Sequence, residues 1–158
     1  MPDDEKTKEL VTLFKDIHDS LRKSGLQLDF AFKKATAIGT QTEYSPDELL
    51  VFEAFTSRFE RTVDILTQQA YKAIIALERE GRSGMTFIDR VNLMEKLRLC
   101  EKAEDVIRLR DLRNVIAHEY KIEELAEVFD DTLKLTPMLL LLISNVTDYR
   151  NSRVDQVE

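Results

Sequence analysis

The chain has 158 residues, of which 43% are hydrophobic and 34% charged, with four glycines, three prolines and no tryptophan. Those proportions suit one helical domain with its own core and leave little room for long irregular regions. A net charge of −7 argues against a generic basic nucleic-acid surface, and the one cysteine, Cys100, excludes an internal disulfide and fits a reducing cytosol.

With no CxxC pair and no clustered histidines, a structural metal site is not expected, and no cofactor is. The first residues, Met-Pro-Asp-Asp-Glu-Lys, are polar and acidic, unlike a secretory signal. The longest apolar run, Met138 to Ile143, falls well short of the ~20 residues a membrane helix needs. The expectation is a cytoplasmic protein without a membrane segment. It would form a single domain over 1–158, in which 1–45 fit less clearly and 151–158 form a frayed tail.

In chain order, Leu10, Leu13, Phe14, Ile17 and Leu21 have the 3–4 spacing of an amphipathic helix over 4–22. His18 is expected to be an exposed or rim residue beside that stripe, and Gly25 to end the helix. Leu26, Leu28, Phe30 and Phe32 alternate like a strand. A single strand with no partner run cannot make a sheet, so the segment is assigned a short helix from Asp29 to Ile38.

Ser45-Pro46-Asp47-Glu48 is a helix start: serine caps, proline suits the first helical position, and Glu48 completes a capping box. Phe52, Phe55, Phe59, Val63, Leu66, Ala70, Ile74 and Leu77 carry that helix to about Glu80. Leu49, Ile65 and Ile75 lie off this stripe and form either a second core face, the favoured reading, or a partner surface. Gly81 and Gly84 bracket a turn, and Thr86 with Asp89 repeats the capping pattern. A helix follows through Phe87, Val91, Met94 and Leu97, then another from Ala103 to Glu119. A break near Lys121 precedes a last long helix marked by Ile122, Leu125, Phe129, Leu133, Leu140 and Ile143, which Pro137 should kink or split.

The chemistry gathers in Leu112 to Tyr120, Leu-Arg-Asn-Val-Ile-Ala-His-Glu-Tyr. It follows a mildly basic segment, Arg90 to Arg113, with seven Lys/Arg against five acids. On an ideal helix Val106, Leu109, Leu112, Ile116 and Tyr120 form a buried stripe, while Arg110, Asn114 and His118 line up on the polar side. Arg113 falls within the apolar stripe, which is costly unless it is paired. Glu60 or Asp64 at the core edge could serve. Ile107 and Val115 lie beside the polar line, as if a second subunit covers that face. An arginine that can grip phosphate and a histidine that can move a proton near neutral pH suggest a phosphate site. Acid–base cleavage usually needs two protonic groups, and a symmetric dimer would supply two histidines.

Arg113, four residues, His118, one residue, Tyr120 resembles the Arg-x4-His-x-Tyr motif of HEPN-domain proteins, in particular HepT-type toxins. Asn114 matches the polar residue these families favour after the arginine. Ser57-Arg58-Phe59-Glu60, Glu95-Lys96-Leu97 and Leu109-Arg110-Asp111-Leu112 give similar context, so the resemblance spans about Pro46 to Tyr149. It implies an all-α, up-and-down helical bundle that forms a homodimer with its motifs facing each other. It implies metal-independent endoribonuclease activity by attack of the ribose 2′-hydroxyl on the adjacent phosphorus. His118 would be the general acid/base, Arg113 would hold the phosphate, and Asn114 would position His118 or the RNA. Arg108 and Arg110 are candidate RNA contacts. A nucleotidyltransferase antitoxin would be the partner, adding AMP to Tyr120. Related HEPN domains are non-catalytic binding partners of nucleotidyltransferases, and the acidic net charge favours that alternative. An ideal helix sets one demand: Arg113 and His118 point about 140° apart. Either Arg113 wraps around, the helix loosens near His118, or a second subunit completes the site.

Overall fold

The computed structural model describes residues 2–118 and 121–156. They form an all-helical bundle, with no strand among the described residues. Helix α1 is Pro2–Ile38. Helix α2 starts as Pro46–Asp64, passes through a π turn at Ile65–Ala70 and continues as Tyr71–Leu77. Helix α3 is Phe87–Lys96 and α4 is Ala103–Ala117. A 3-10 turn, Ile122–Glu124, leads into α5, Leu125–Tyr149, which runs on into a π turn at Arg150–Val154. None of these helices is long and apolar enough to cross a membrane.

Helix α1 does not stop at Gly25. It is one helix of 37 residues, about 55 Å long, so the short helix expected from Asp29 is its second half. Asp3, Asp4 and Glu5 in its first turn complement the helix dipole. Gly25 is there for packing: a Cβ on it would lie 3.0 Å from Cδ1 of Ile143 on α5. The alternation from Leu26 to Phe32 is therefore helical, with Leu28 buried while Leu26 and Phe30 stay exposed on the outer face.

Helix α2 begins as expected. Ser45 Oγ accepts from the Glu48 N–H at 3.2 Å, and Glu48 Oε1 accepts from the Ser45 N–H at 2.9 Å. Its stripe from Phe52 through Ile74 is fully buried, and Ile75 joins the core while Leu49 and Ile65 pack partly against it. The Ser24 and Thr62 hydroxyls meet at 2.6 Å, and the Phe32 and Phe55 rings at 6.0 Å. Residue numbers rise on α1 as they fall on α2, so the two helices are antiparallel. Phe52 stacks on Phe129 of α5 at 4.5 Å, and Tyr44 from the connecting loop packs edge-on against both. Helices α1, α2 and α5 thus enclose the main core, with α3 and α4 along one flank.

Pro137 does not split α5, which is continuous across it. The proline is exposed, so water can serve the carbonyl that loses its partner. The tail is not frayed at Asn151 either. Val154 is buried, and Arg153 Nη2 donates to Glu78 Oε2 at 3.0 Å.

Two helix ends carry local strain. Arg79 (φ 57°) follows α2 and Arg98 (φ 63°) follows α3, both in the left-handed region. In each, the paired C-terminal bonds are made: Arg79 N to Ala76 O with Glu80 N to Ile75 O, and Arg98 N to Glu95 O with Leu99 N to Met94 O. Glycine usually fills this position because a Cβ is strained there. Arg79→Gly and Arg98→Gly are each expected to raise stability by about 0.5–1 kcal/mol, read as a higher urea midpoint with an unchanged slope.

His18 is buried rather than exposed, at 4% accessibility. Arg150 Nη1 lies 2.8 Å from its Nδ1, and Thr147 Oγ1 lies 2.8 Å from its Nε2. Arginine can only donate, so Nδ1 accepts. Thr147 gives its own proton to Ile143 O at 3.3 Å, so it accepts from Nε2–H. The network holds a neutral imidazole with its proton on Nε2. Burial, then the Arg150 charge, lowers its pKa below the ordinary 6.5, against the opposing pull of Asp19. The unfolded chain therefore takes up this proton first as pH falls. The stabilisation is complete above the ordinary histidine value and is lost as pH drops through the folded value. Melting temperature is expected to decline from neutral to mildly acid pH, and His18→Gln to flatten that decline.

Candidate functional site

Helix α4 buries Val106, Leu109 and Leu112 as its periodicity predicts, with Ile116 half-buried. Arg113 lies beside this stripe and reaches across to α2. Its Nε and Nη2 donate to the two oxygens of Asp64, both at 2.7 Å, and Nη2 lies 3.3 Å from Glu60 Oε1. The core-edge pairing considered as an alternative from sequence is thus present, in the two-pronged geometry that suits guanidinium and carboxylate. Asp64 is the last residue before the π turn of α2. The hydrogen bonds that Arg113 donates to Asp64 raise its pKa, partly opposed by burial, so this guanidinium stays charged at every working pH. Its Nη1 bonds no described residue, leaving one donor nitrogen outside the clamp.

The line Arg110–Asn114–His118 holds for its first two members only. Helix α4 ends at Ala117, and His118 leaves it extended, with φ −88° and ψ 147°. Its N–H still donates to Asn114 O at 3.2 Å, but its side chain is exposed and bonds no described residue. Of the three ways to meet the geometric demand, the helix breaks at the histidine. The 140° separation of an ideal helix therefore no longer applies. The contact between Asn114 and His118 is thus the last backbone bond of the helix, and no side-chain bond joins them. Tyr120, expected to close the apolar stripe, and Glu119 lie outside the described residues.

The two candidate RNA contacts differ in their surroundings. Arg108 is exposed on a cleft between α4 and α5 whose lining holds Asp111, Glu124, Glu127 and Asp131, with Lys134 as the other cation. Four carboxylates there oppose a phosphate backbone. Val115 opens onto the same cleft and is 45% exposed, while Ile107 is half-buried. Arg110 instead lays its guanidinium on the Phe87 ring of α3, 4.1 Å from the centroid, and Arg90 approaches the same ring at 5.8 Å. Phe87 carried no signal in the sequence beyond its place in a helix, because only the packing of α3 on α4 brings it to Arg110.

Cys100 is buried, and burial first, with Glu95 and Asp105 nearby, pushes its thiol up to about 11. It is a core residue, not a nucleophile. Among the described residues no three His, Cys, Asp or Glu side chains gather as a metal site would need. No protein-family model, curated protein or solved structure matches this chain. The fold and the site together define a class: an all-helical bundle in which one helix presents a clamped arginine and, just past its end, an exposed histidine.

Proposed function

We propose that the protein is a HEPN-type, metal-independent endoribonuclease acting as a homodimer, paired with a nucleotidyltransferase antitoxin. The observation that carries this reading is the end of α4 at Ala117, which frees His118 five residues beyond a permanently charged Arg113. In the reaction, one His118 takes the proton of a ribose 2′-hydroxyl. The 2′-oxygen bonds to the adjacent phosphorus, the P–O5′ bond breaks, and the second protomer's His118 protonates the departing O5′. Arg113 stabilises the charge that grows on the phosphoryl oxygens. The products are a 2′,3′-cyclic phosphate and a 5′-hydroxyl. Tyr120 is the acceptor of AMP from the partner, a bulky anion that would repel RNA.

The test is incubation with total RNA in EDTA beside His118→Ala, with the new ends analysed chemically. Cleavage by the unaltered protein alone, leaving cyclic phosphate ends, supports the reading. Identical products from both, or none from either, overturn it.

A second reading is favoured by a specific observation. Asp64 and Glu60 already occupy most of the Arg113 donors, as a structural arginine in a non-catalytic binding module would have it. That reading predicts a stable complex with a nucleotidyltransferase and no cleavage, and absence of the complex in size exclusion would count against it.

A further inference from the structure

Two cations meet at the junction of α4 with α3. Arg90 has no carboxylate partner among the described residues. Arg110 has only Asp111, whose Oδ1 comes within 3.5 Å of Nε without a hydrogen bond. The Nε atoms of both arginines are buried and unpartnered, while their guanidinium groups gather on one ring, Phe87. The ring holds the two like charges in place by cation–π attraction. Two guanidiniums on one ring, with one carboxylate oxygen 3.5 Å from one of them, keep an excess of positive charge that can hold an anion.

The pair is also aligned with the proposed site. On α4, Arg110, Arg113, Asn114 and Ala117 fall within an arc of about 100°, and Arg110 sits about 10 Å along the axis from the helix end where His118 emerges. Phe87 and Arg110 thus lie on the same side of α4 as Asn114, about two turns before the helix end. An arginine stacked on one face offers its other face to a base and its edge to a phosphate.

We propose that Phe87, Arg90 and Arg110 form a docking site for the sugar-phosphate backbone of single-stranded RNA, next to the His118 end of α4. The choice of RNA as the polyanion rests on the ribonuclease reading.

The experiment uses full-length protein carrying His118→Ala, so that substrate survives, and a fluorescein-labelled single-stranded RNA oligonucleotide titrated by anisotropy over a KCl series. Arg90→Gln and Arg110→Gln, each added singly, are expected to weaken binding roughly tenfold. Each should lower the slope of log affinity against log salt by about 0.7, the loss of one phosphate contact on a single strand. Lys23→Gln, an exposed cation on α1, should change neither. The proposal is overturned if the arginine variants match Lys23→Gln, if they lower only the melting temperature, or if no RNA binds. If RNA binds as expected and the protein with His118 intact does not cleave it, the docking site stands and the nuclease reading falls.

Discussion

His118→Ala is expected to lower RNA cleavage by about 10²–10⁴-fold, the usual worth of a positioned proton-transfer group. It should leave stability within about 0.5 kcal/mol of the parent. The two halves of this result have one cause. His118 sits beyond the last turn of α4, with an exposed side chain that no described residue bonds. Its removal strands no partner among the described residues, and the bond from its N–H to Asn114 O is a backbone bond that alanine keeps. Single-turnover cleavage of a labelled RNA in EDTA, beside a urea melt of the same preparations, measures both. Unchanged cleavage would remove His118 from the mechanism. Lost cleavage with a lowered midpoint would mean that the imidazole holds the fold.

What could be read from the sequence was what depends on neighbours within a turn or two. The capping boxes at Ser45–Glu48 and Thr86–Asp89 bring their own partners. The stripe of α2 is set by periodicity alone, and even the π turn at Ile65–Ala70 does not disturb it, since Leu66, Ala70 and Ile74 remain fully buried. Gly25 failed as a stop signal because the local preference of glycine for helix ends was outweighed by a contact 118 residues away, with Ile143 on α5. His18 was misplaced for the same reason. Its buried partners, Thr147 and Arg150, belong to the far end of the chain.

The candidate site divides along the same line. Projection placed Arg113 within the apolar stripe and offered Glu60 or Asp64 at the core edge as its partner, because a charge in such a stripe demands a counter-charge. Projection also carried His118 onto the polar line, which assumed that helical geometry continues to Glu119. The residues Val115, Ile116 and Ala117 gave no stop signal of the glycine or proline kind. The site's most specific feature, the histidine outside the helix, was therefore open only as one of three alternatives, with no residue to select it. Phe87 was hidden more deeply, since its meeting with Arg110 is purely tertiary.

Arg113→Ala, unlike the histidine variant, should fail on both measures. Cleavage is expected to drop about 10²–10³-fold, as for loss of one transition-state donor. Stability should fall by about 1–2 kcal/mol, below the cost of breaking a fully buried pair because the Arg113 side chain is 27% exposed and that of Asp64 39%. The alanine would leave Asp64 and Glu60 facing each other without the cation that joins α4 to α2. Arg113→Lys separates the two losses. A lysine keeps the charge, and so much of the carboxylate attraction, but it cannot make both bonds to Asp64 and still offer a donor to phosphate. The lysine variant should therefore recover most of the urea midpoint and little of the rate. If it recovers rate and midpoint in proportion, Arg113 acts on RNA only through the fold, and the clamp to Asp64 is its whole function.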